Sequence, residues 1–308
     1  MRRPMTRREM LLALAAGSFS ACSRFRSHVA QSKYELILCG ADEVFILSTW
    51  LRGIPNTGRI WSWRAADCPN LRDALHATFR STDDCKPVED GKRILITSSS
   101  NGVALVERAT KRAVFNASVI NAHSAEALPG GRIVVASSVS QSEKGNRLVL
   151  FDIAAPEKEI FSDPLVSAHG VVWDEKRRIL WALGYDELRA YRLGGWETAS
   201  PALERKGAFA LPDTSGHDLS PIPGSPNLFV STGEHCWYFD RDKGRFAPHD
   251  VLADARDVKS YSVNRWTGRI AYTQAEGTDW WTDRVHFLKP KGFLPLPGQR
   301  LYKVRWNA

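Results

Sequence analysis

The chain lacks most of the features that announce a function directly. Past the first 22 of its 308 residues no apolar run approaches the ~20 that cross a membrane, so the body reads as a globular domain in water. None of its five cysteines stands in a CxxC pair, which disfavours a cysteine-based zinc site. HExxH and GxSxG are both missing, which removes the zincin and nucleophile-elbow readings. No paired carboxylates occupy a motif diagnostic of two-carboxylate glycoside hydrolysis. Lys and Arg never gather into a run of five or six, so nucleic acid is not the expected partner despite a formal net charge of +8; anionic glycans or cell-envelope surfaces fit the scattered charge better. Long segments with a helical period are absent as well, and residues 70–77 are the best candidate for one short helix.

What is present is a repeat. Short runs of Val, Ile, Leu, Phe, Tyr and Trp recur between turns such as Pro129-Gly130-Gly131, Pro223-Gly224-Ser225 and Thr267-Gly268-Arg269, which are strand and turn signals at even spacing. Five segments carry a His or Lys into a turn and then an apolar strand: CKPVEDGKRILIT from Cys85, HSAEALPGGRIVVAS from His123, HGVVWDEKRRILWAL from His169, HDLSPIPGSPNLFVS from His217 and KSYSVNRWTGRIAYT from Lys259. A sixth, LYKVRWNA from Leu301, has no strand after it. The basic residues Lys86, His123, His169, His217, Lys259 and Lys303 lie 37, 46, 48, 42 and 44 residues apart, close to the ~40–50 of a propeller blade.

Apolar second strands begin near Leu36, Ile94, Ile133, Ile179, Leu228 and Ile270, six in all. The first has no inner strand ahead of it, whereas Leu301–Asn307 has one to spare. The pattern therefore predicts an all-β, six-bladed β-propeller, closed by the C-terminal strand completing the first blade, which hides both edges of an otherwise open array.

The N-terminus is read apart from this body. Arg2, Arg3, Arg7 and Arg8 precede an apolar run from Met10 to Ala16, and small residues lead to Cys22, the order of a secretory signal. Thr6-Arg7-Arg8-Glu9-Met10-Leu11-Leu12 resembles a twin-arginine export signal. Gly17-Ser18-Phe19-Ser20-Ala21-Cys22 resembles a lipoprotein cleavage box, with Phe19 where Leu is usual. The expected organisation is an export signal over 1–22, a linker over 23–32 and one propeller over 33–308. Lipidation of Cys22 would hold the domain at a membrane surface of the periplasm or cell envelope without a spanning helix. Loss of residues 1–22 lowers the formal charge from +8 to +5. Cys39, Cys68, Cys85 and Cys236 then remain, an even number that leaves room for one or two disulfides in an exported protein.

CGADEVFILS, CKPV, AHSAEALPGGRIVVASS, AHGVVWD with LWALGYDELRAYRL, GHDLSPIPG, VKSYS and the terminal YKVRW, taken as a set, resemble a family of six-bladed bacterial propellers known only as a domain of unknown function. The resemblance covers roughly residues 33–308, implies the fold and an exported setting, and brings no activity with it.

Chemistry is argued from the ring. His123, His169 and His217 are expected at one place in three consecutive blades, with Lys86, Lys259 and Lys303 at that place in the others. Three neutral imidazoles on adjacent inner strands suit a divalent metal such as Mn, Zn or Fe, an arrangement similar in architecture to seven-bladed oligogalacturonate lyases. Glu126, Asp218 or Asp174 would be outer acceptors. The plainer reading is that each His or Lys bonds a neighbouring backbone carbonyl. Crowded cations depress one another's pKa unless an anion neutralises them, so the expected ligand is an acidic small molecule or glycan, with Lys86 and Lys303 binding it. If catalytic, the ring suits metal-assisted β-elimination from a uronate-like sugar, with Lys259 and Tyr261 as the reacting groups. Trp280 and Trp281, in the loop Gly277–Asp283, would stack on sugar rings. The alternative function is a non-enzymatic envelope scaffold that binds another protein on a propeller face.

Overall fold

The computed structural model describes residues 34–49 and 58–307; the assignments of an export signal, a linker and a lipidated Cys22 lie outside the described residues. The chain forms six four-stranded antiparallel sheets. Blade 1 contains β1 (Glu35–Gly40), β2 (Glu43–Ser48) and β3 (Gly58–Trp63), and blade 2 contains β4 (Thr82–Val88), β5 (Arg93–Ser98), β6 (Gly102–Glu107) and β7 (Ala113–Ser118). Blade 3 is β8 (Ala122–Leu128), β9 (Arg132–Ser137), β10 (Arg147–Asp152) and β11 (Ala155–Pro164). Blade 4 is β12 (Gly170–Asp174), β13 (Ile179–Leu183), β14 (Glu187–Gly194) and β15 (Ala202–Ala210). Blade 5 is β16 (Asp218–Pro221), β17 (Asn227–Ser231), β18 (Cys236–Asp240) and β19 (Arg245–Pro248), and blade 6 is β20 (Val258–Val263), β21 (Ile270–Gln274), β22 (Arg284–Leu288) and β23 (Gly292–Pro295). The last strand, β24 (Lys303–Trp306), joins blade 1.

The apolar second strands are continuous rather than alternating because neighbouring blades cover both of their faces. Leu36, Ile37 and Leu38 in β1, and Ile94 and Ile96 in β5, are fully buried. Third strands such as β14 alternate between buried and part-exposed positions, and outer strands such as β23 face solvent. Aromatic side chains lock the interfaces between blades. Phe229 stacks on Tyr261 at 4.0 Å between blades 5 and 6, and Trp63 meets Phe79 edge-on at 5.3 Å. The expected short helix is a 3-10 helix at Asp73–Phe79. The four described cysteines are buried free thiols.

Ring closure follows the sequence reading. β24 pairs antiparallel with β1, with Leu36 opposite Trp306 and Cys39 opposite Lys303, so β1 has partners on both sides. All six inner strands begin at one face, called upper here, and end at the other. Links between blades and turns between second and third strands therefore lie on the upper face. Turns between first and second strands, and between third and fourth, lie on the lower face.

Candidate functional site

Backbone pairing defines layers along the channel. Asp83, His123 and Lys259 occupy β-bulges near the upper ends of β4, β8 and β20. The N–H groups of His169, His217 and Tyr302 donate to the carbonyls of Leu183, Ser231 and Cys39, at the matching place ahead of β12, β16 and β24. The uppermost ring is therefore Asp83, His123, His169, His217, Lys259 and Tyr302. This corrects the expected register, in which Lys86 and Lys303 shared a level with the three histidines. Lys303 is one residue deeper, and Lys86 lies three residues deeper. Counting back from the pairing of the second strand, instead of aligning basic residues, would have placed Asp83 and Tyr302 in the ring.

His123 and His169 meet at a centroid distance of 4.1 Å, His169 and His217 at 5.2 Å, and His123 and Tyr302 at 6.1 Å. His169 Nδ1 lies 3.1 Å from Ser138 Oγ. Lys259 Nζ lies 3.0 Å from both His217 Nε2 and Asp257 Oδ1 and 4.8 Å from the Trp280 ring centre. The Nδ1 atoms of His123 and His217 are buried without a hydrogen-bond partner, an unusual state for such groups. The described His, Cys, Asp and Glu residues include no group of three or more arranged to hold a metal ion; the imidazoles pack edge to face instead of converging on a point.

Burial, helped by the Lys303 charge, pulls the His123 pKa down to about 3. Burial likewise holds His169 and His217 well below the ordinary value, with neighbouring histidines and lysines adding to the effect. The three rings are therefore neutral near pH 7. Asp83 moves the other way, as burial outweighs the Ser99 N–H donor and raises its pKa to about 7. Lys259 is lowered by burial, against the opposing pull of Asp257.

These shifts predict how stability depends on pH. A histidine with a depressed folded pKa binds no proton when folded but binds one when unfolded, below about pH 6.5. Its contribution is present above that pH and is lost as pH falls toward about 3 for His123. Asp83 and Glu126, both raised by burial, act in the opposite sense, but His249 and His286 are depressed as well, so five histidines stand against two carboxylates. Urea unfolding midpoints are expected to fall from pH 7 to pH 5, and a His123→Gln, His169→Gln, His217→Gln variant should flatten that slope. An unchanged slope in the variant would remove the three imidazoles as its cause.

One layer below, the channel is closed by a charge cluster. Arg305 donates from Nε to Asp84 at 2.9 Å and from Nη2 to Asp218 at 2.7 Å, with further contacts of 3.1 Å to each carboxylate. Lys303 Nζ donates to Asp218 at 3.0 Å. Ser124 completes Asp84, while Ser220 and the Tyr261 N–H complete Asp218. Burial opposes ionisation of both carboxylates, but the Arg305 and Lys303 charges outweigh it: Asp218 falls to about 2 and Asp84 further. Two anions balance two cations in this plug.

The plug separates two cavities. The upper one, of about 590 Å³, is lined by Asp83, His123, His169, His217, Tyr302 and Trp280, with Arg80 and Arg300 at its edge. Arg300 lies 3.6 Å above the Trp281 ring centre, and Trp280 is 60% exposed. The lower one, of about 200 Å³, holds Lys86, which donates to Glu126 at 3.0 Å and to the Val171 carbonyl. Lys86 is thus on the opposite side of the plug from the histidines. Tyr261 does not join Lys259 in the channel. The bulge at Lys259 breaks the two-residue alternation that would otherwise put both side chains on one face, and Tyr261 packs in the core of blades 5 and 6, where its hydroxyl lies 3.4 Å from His249 Nε2. Of the expected outer acceptors, Glu126 and Asp218 serve Lys86 and the plug, while Asp174 pairs with Arg177 and Arg241 at the lower face.

The fold and this two-ended, plugged channel define a six-bladed β-propeller. The model of the family of unknown function DUF6528 matches residues 46–308, and the chain belongs to that family. No curated protein matches the sequence.

Proposed function

We propose that the upper cavity binds a short acidic saccharide and that the propeller is an exported protein of the cell envelope. The observation that carries the binding reading is a cavity lined by three neutral imidazoles together with two arginines and an exposed tryptophan. Trp280 offers a ring face for stacking on a sugar, Arg80 and Arg300 match a carboxylate, and the neutral imidazoles can donate to or accept from hydroxyls. A short ligand is favoured over a long polyanion because the outer rim carries many carboxylates, Asp213, Asp250, Asp257 and Glu276 among them.

The same groups suit β-elimination. The Asp83 carboxylate, with a pKa of about 7, would take the proton on the carbon next to the sugar carboxylate. The C–H electron pair would form the C=C bond as the neighbouring C–O bond breaks, and Asp83 would pass the same proton to the departing oxygen on that side of the sugar. His123 Nε2 and Asp83 Oδ1 are 3.9 Å apart, which places both on one side of a substrate. Lys259 and the arginines would stabilise the enolate-like charge.

The test is calorimetric titration with short galacturonate and glucuronate oligosaccharides, followed by ultraviolet detection of an unsaturated product. Trp280→Ala and Arg300→Ala are each expected to weaken binding about tenfold, and Asp83→Asn to abolish product while leaving binding. No binding of any oligouronate by the intact protein overturns the reading. Elemental analysis of the same preparation decides whether the three histidines also carry Mn, Zn or Fe. Val139, Val166 and Tyr185, exposed beside the cavity, are what a scaffold would offer a protein partner. Binding of a protein at this mouth without oligouronate affinity would favour that second reading.

A further inference from the structure

The two faces of the disc carry opposite charge. The described lower-face connections, 89–92, 108–112, 129–131, 153–154, 175–178, 195–201, 222–226, 241–244, 264–269 and 289–291, hold 13 Lys and Arg against 5 Asp and Glu. The upper-face connections, 41–42, 64–81, 99–101, 119–121, 138–146, 165–169, 184–186, 211–217, 232–235, 249–257, 275–283 and 296–302, hold 6 Lys and Arg against 13 Asp and Glu. The described lower-face connections therefore carry +8 and the upper-face connections −7 by formal count. A chain with charge scattered in sequence becomes a strongly polarised disc once the strand directions are fixed.

We infer that the lower face docks on an anionic lipid bilayer and points the upper cavity away from it. Lys92, Arg112, Lys176, Lys289 and Lys291 are exposed and have no ion-pair partner among the described residues, so their charge is not spent within the fold. They are spread around the disc instead of lining a groove or helix, which suits a flat lipid surface better than a nucleic-acid strand. Trp266, 52% exposed at the tip of the turn between β20 and β21, stands beside Arg265, the pairing of aromatic ring and cation that suits the headgroup region. The covalent chain agrees. β1 starts where β24 ends, with Leu36 opposite Trp306, so Tyr34 is on the lower face and all preceding sequence, Cys22 included, is joined to the domain there. An anchor and the basic face would act on the same side of the molecule, and the acidic upper rim would be repelled from the same lipid. The inference is independent of the ligand proposed for the cavity.

The experiment is vesicle co-sedimentation of the full chain carrying Cys22→Ser, so that acylation supplies no affinity. Vesicles of phosphatidylcholine with and without phosphatidylglycerol are compared at low and high salt. Binding is expected only with phosphatidylglycerol and is expected to fall with salt. Arg112→Glu, Lys176→Glu, Lys289→Glu and Lys291→Glu together should lower partitioning by more than about a hundredfold; because the N-terminal arginines are the same in both proteins, the difference belongs to the face. An unaltered thermal unfolding midpoint checks that the quadruple variant is folded. Equal partitioning of the two proteins overturns the inference, as does tighter binding of the parent to a DNA duplex than to the anionic vesicles at the same ionic strength.

Discussion

Replacing Arg305 with Met is expected to remove about 3–5 kcal/mol of stability, the cost of leaving a buried charge without its partner. Arg305 hydrogen-bonds both Asp84 and Asp218, whereas Lys303 comes only within 4.0 Å of Asp84; those carboxylates belong to blades 2 and 5 while the arginine belongs to the strand that closes blade 1. Its loss leaves two anions facing Lys303 alone. The pH dependence identifies the cause. In the parent, both carboxylates have depressed folded pKa values, so their contribution is present above about pH 4 and is lost as pH falls through about 2 for Asp218. In the variant, the excess carboxylate is pushed up instead, so it holds its proton when folded and costs stability as pH rises through its raised pKa. The gap between parent and variant in urea unfolding should shrink as pH is lowered from 7 toward 4. Adding Asp84→Asn to Arg305→Met leaves a balanced Lys303–Asp218 pair, 3.0 Å apart, and should recover most of the loss. A single variant as stable as the parent at pH 7 would show that the cluster contributes nothing net.

A chain ending at Leu301 is expected to lose cooperative folding altogether. It would lack Val304 and Trp306, which are 0% and 3% exposed, each contributing roughly 1.5–3 kcal/mol by burial. It would open the edge of β1 along four paired residues and leave Asp84 and Asp218 without the two cations that bond them. Together these losses are comparable with the whole stability of an ordinary domain, about 5–15 kcal/mol. The signature is absent near-UV circular dichroism and a broad urea transition, both restored when a synthetic peptide spanning residues 300–308 is added. A sharp transition in the truncated chain, within about 2 kcal/mol of the parent, would mean that blade 1 closes without its inner strand.

The repeat was readable because burial on both faces writes itself into β1, β5, β9, β13, β17 and β21 as uninterrupted apolar runs, and because the spare strand at Lys303–Trp306 matched the missing one before Leu36. The site was readable only in part. His123, His169, His217 and Lys259 do meet, since each stands at the upper end of an inner strand. Lys86 and Lys303 were misplaced because a basic residue in CKPV or YKVRW resembles its counterparts in composition while hydrogen-bond register sets its depth, and a one-residue bulge at Asp83 shifts that register. Arg305 sat in the same terminal motif as Lys303 without any local mark that it would bridge Asp84, 221 positions earlier. Asp83, one residue from it, had no mark that burial would raise its pKa.

Sequence by itself determined the class of structure, the number of blades and the identity of the closing strand, because each of these follows from local periodicity and turn chemistry. Tertiary structure alone decided which side chains share a layer, where the channel is plugged and which face is charged. Those properties depend on strand direction and register between blades, and the physical reason they escape a linear reading is that Coulomb energy and desolvation act through space between residues that the chain keeps far apart.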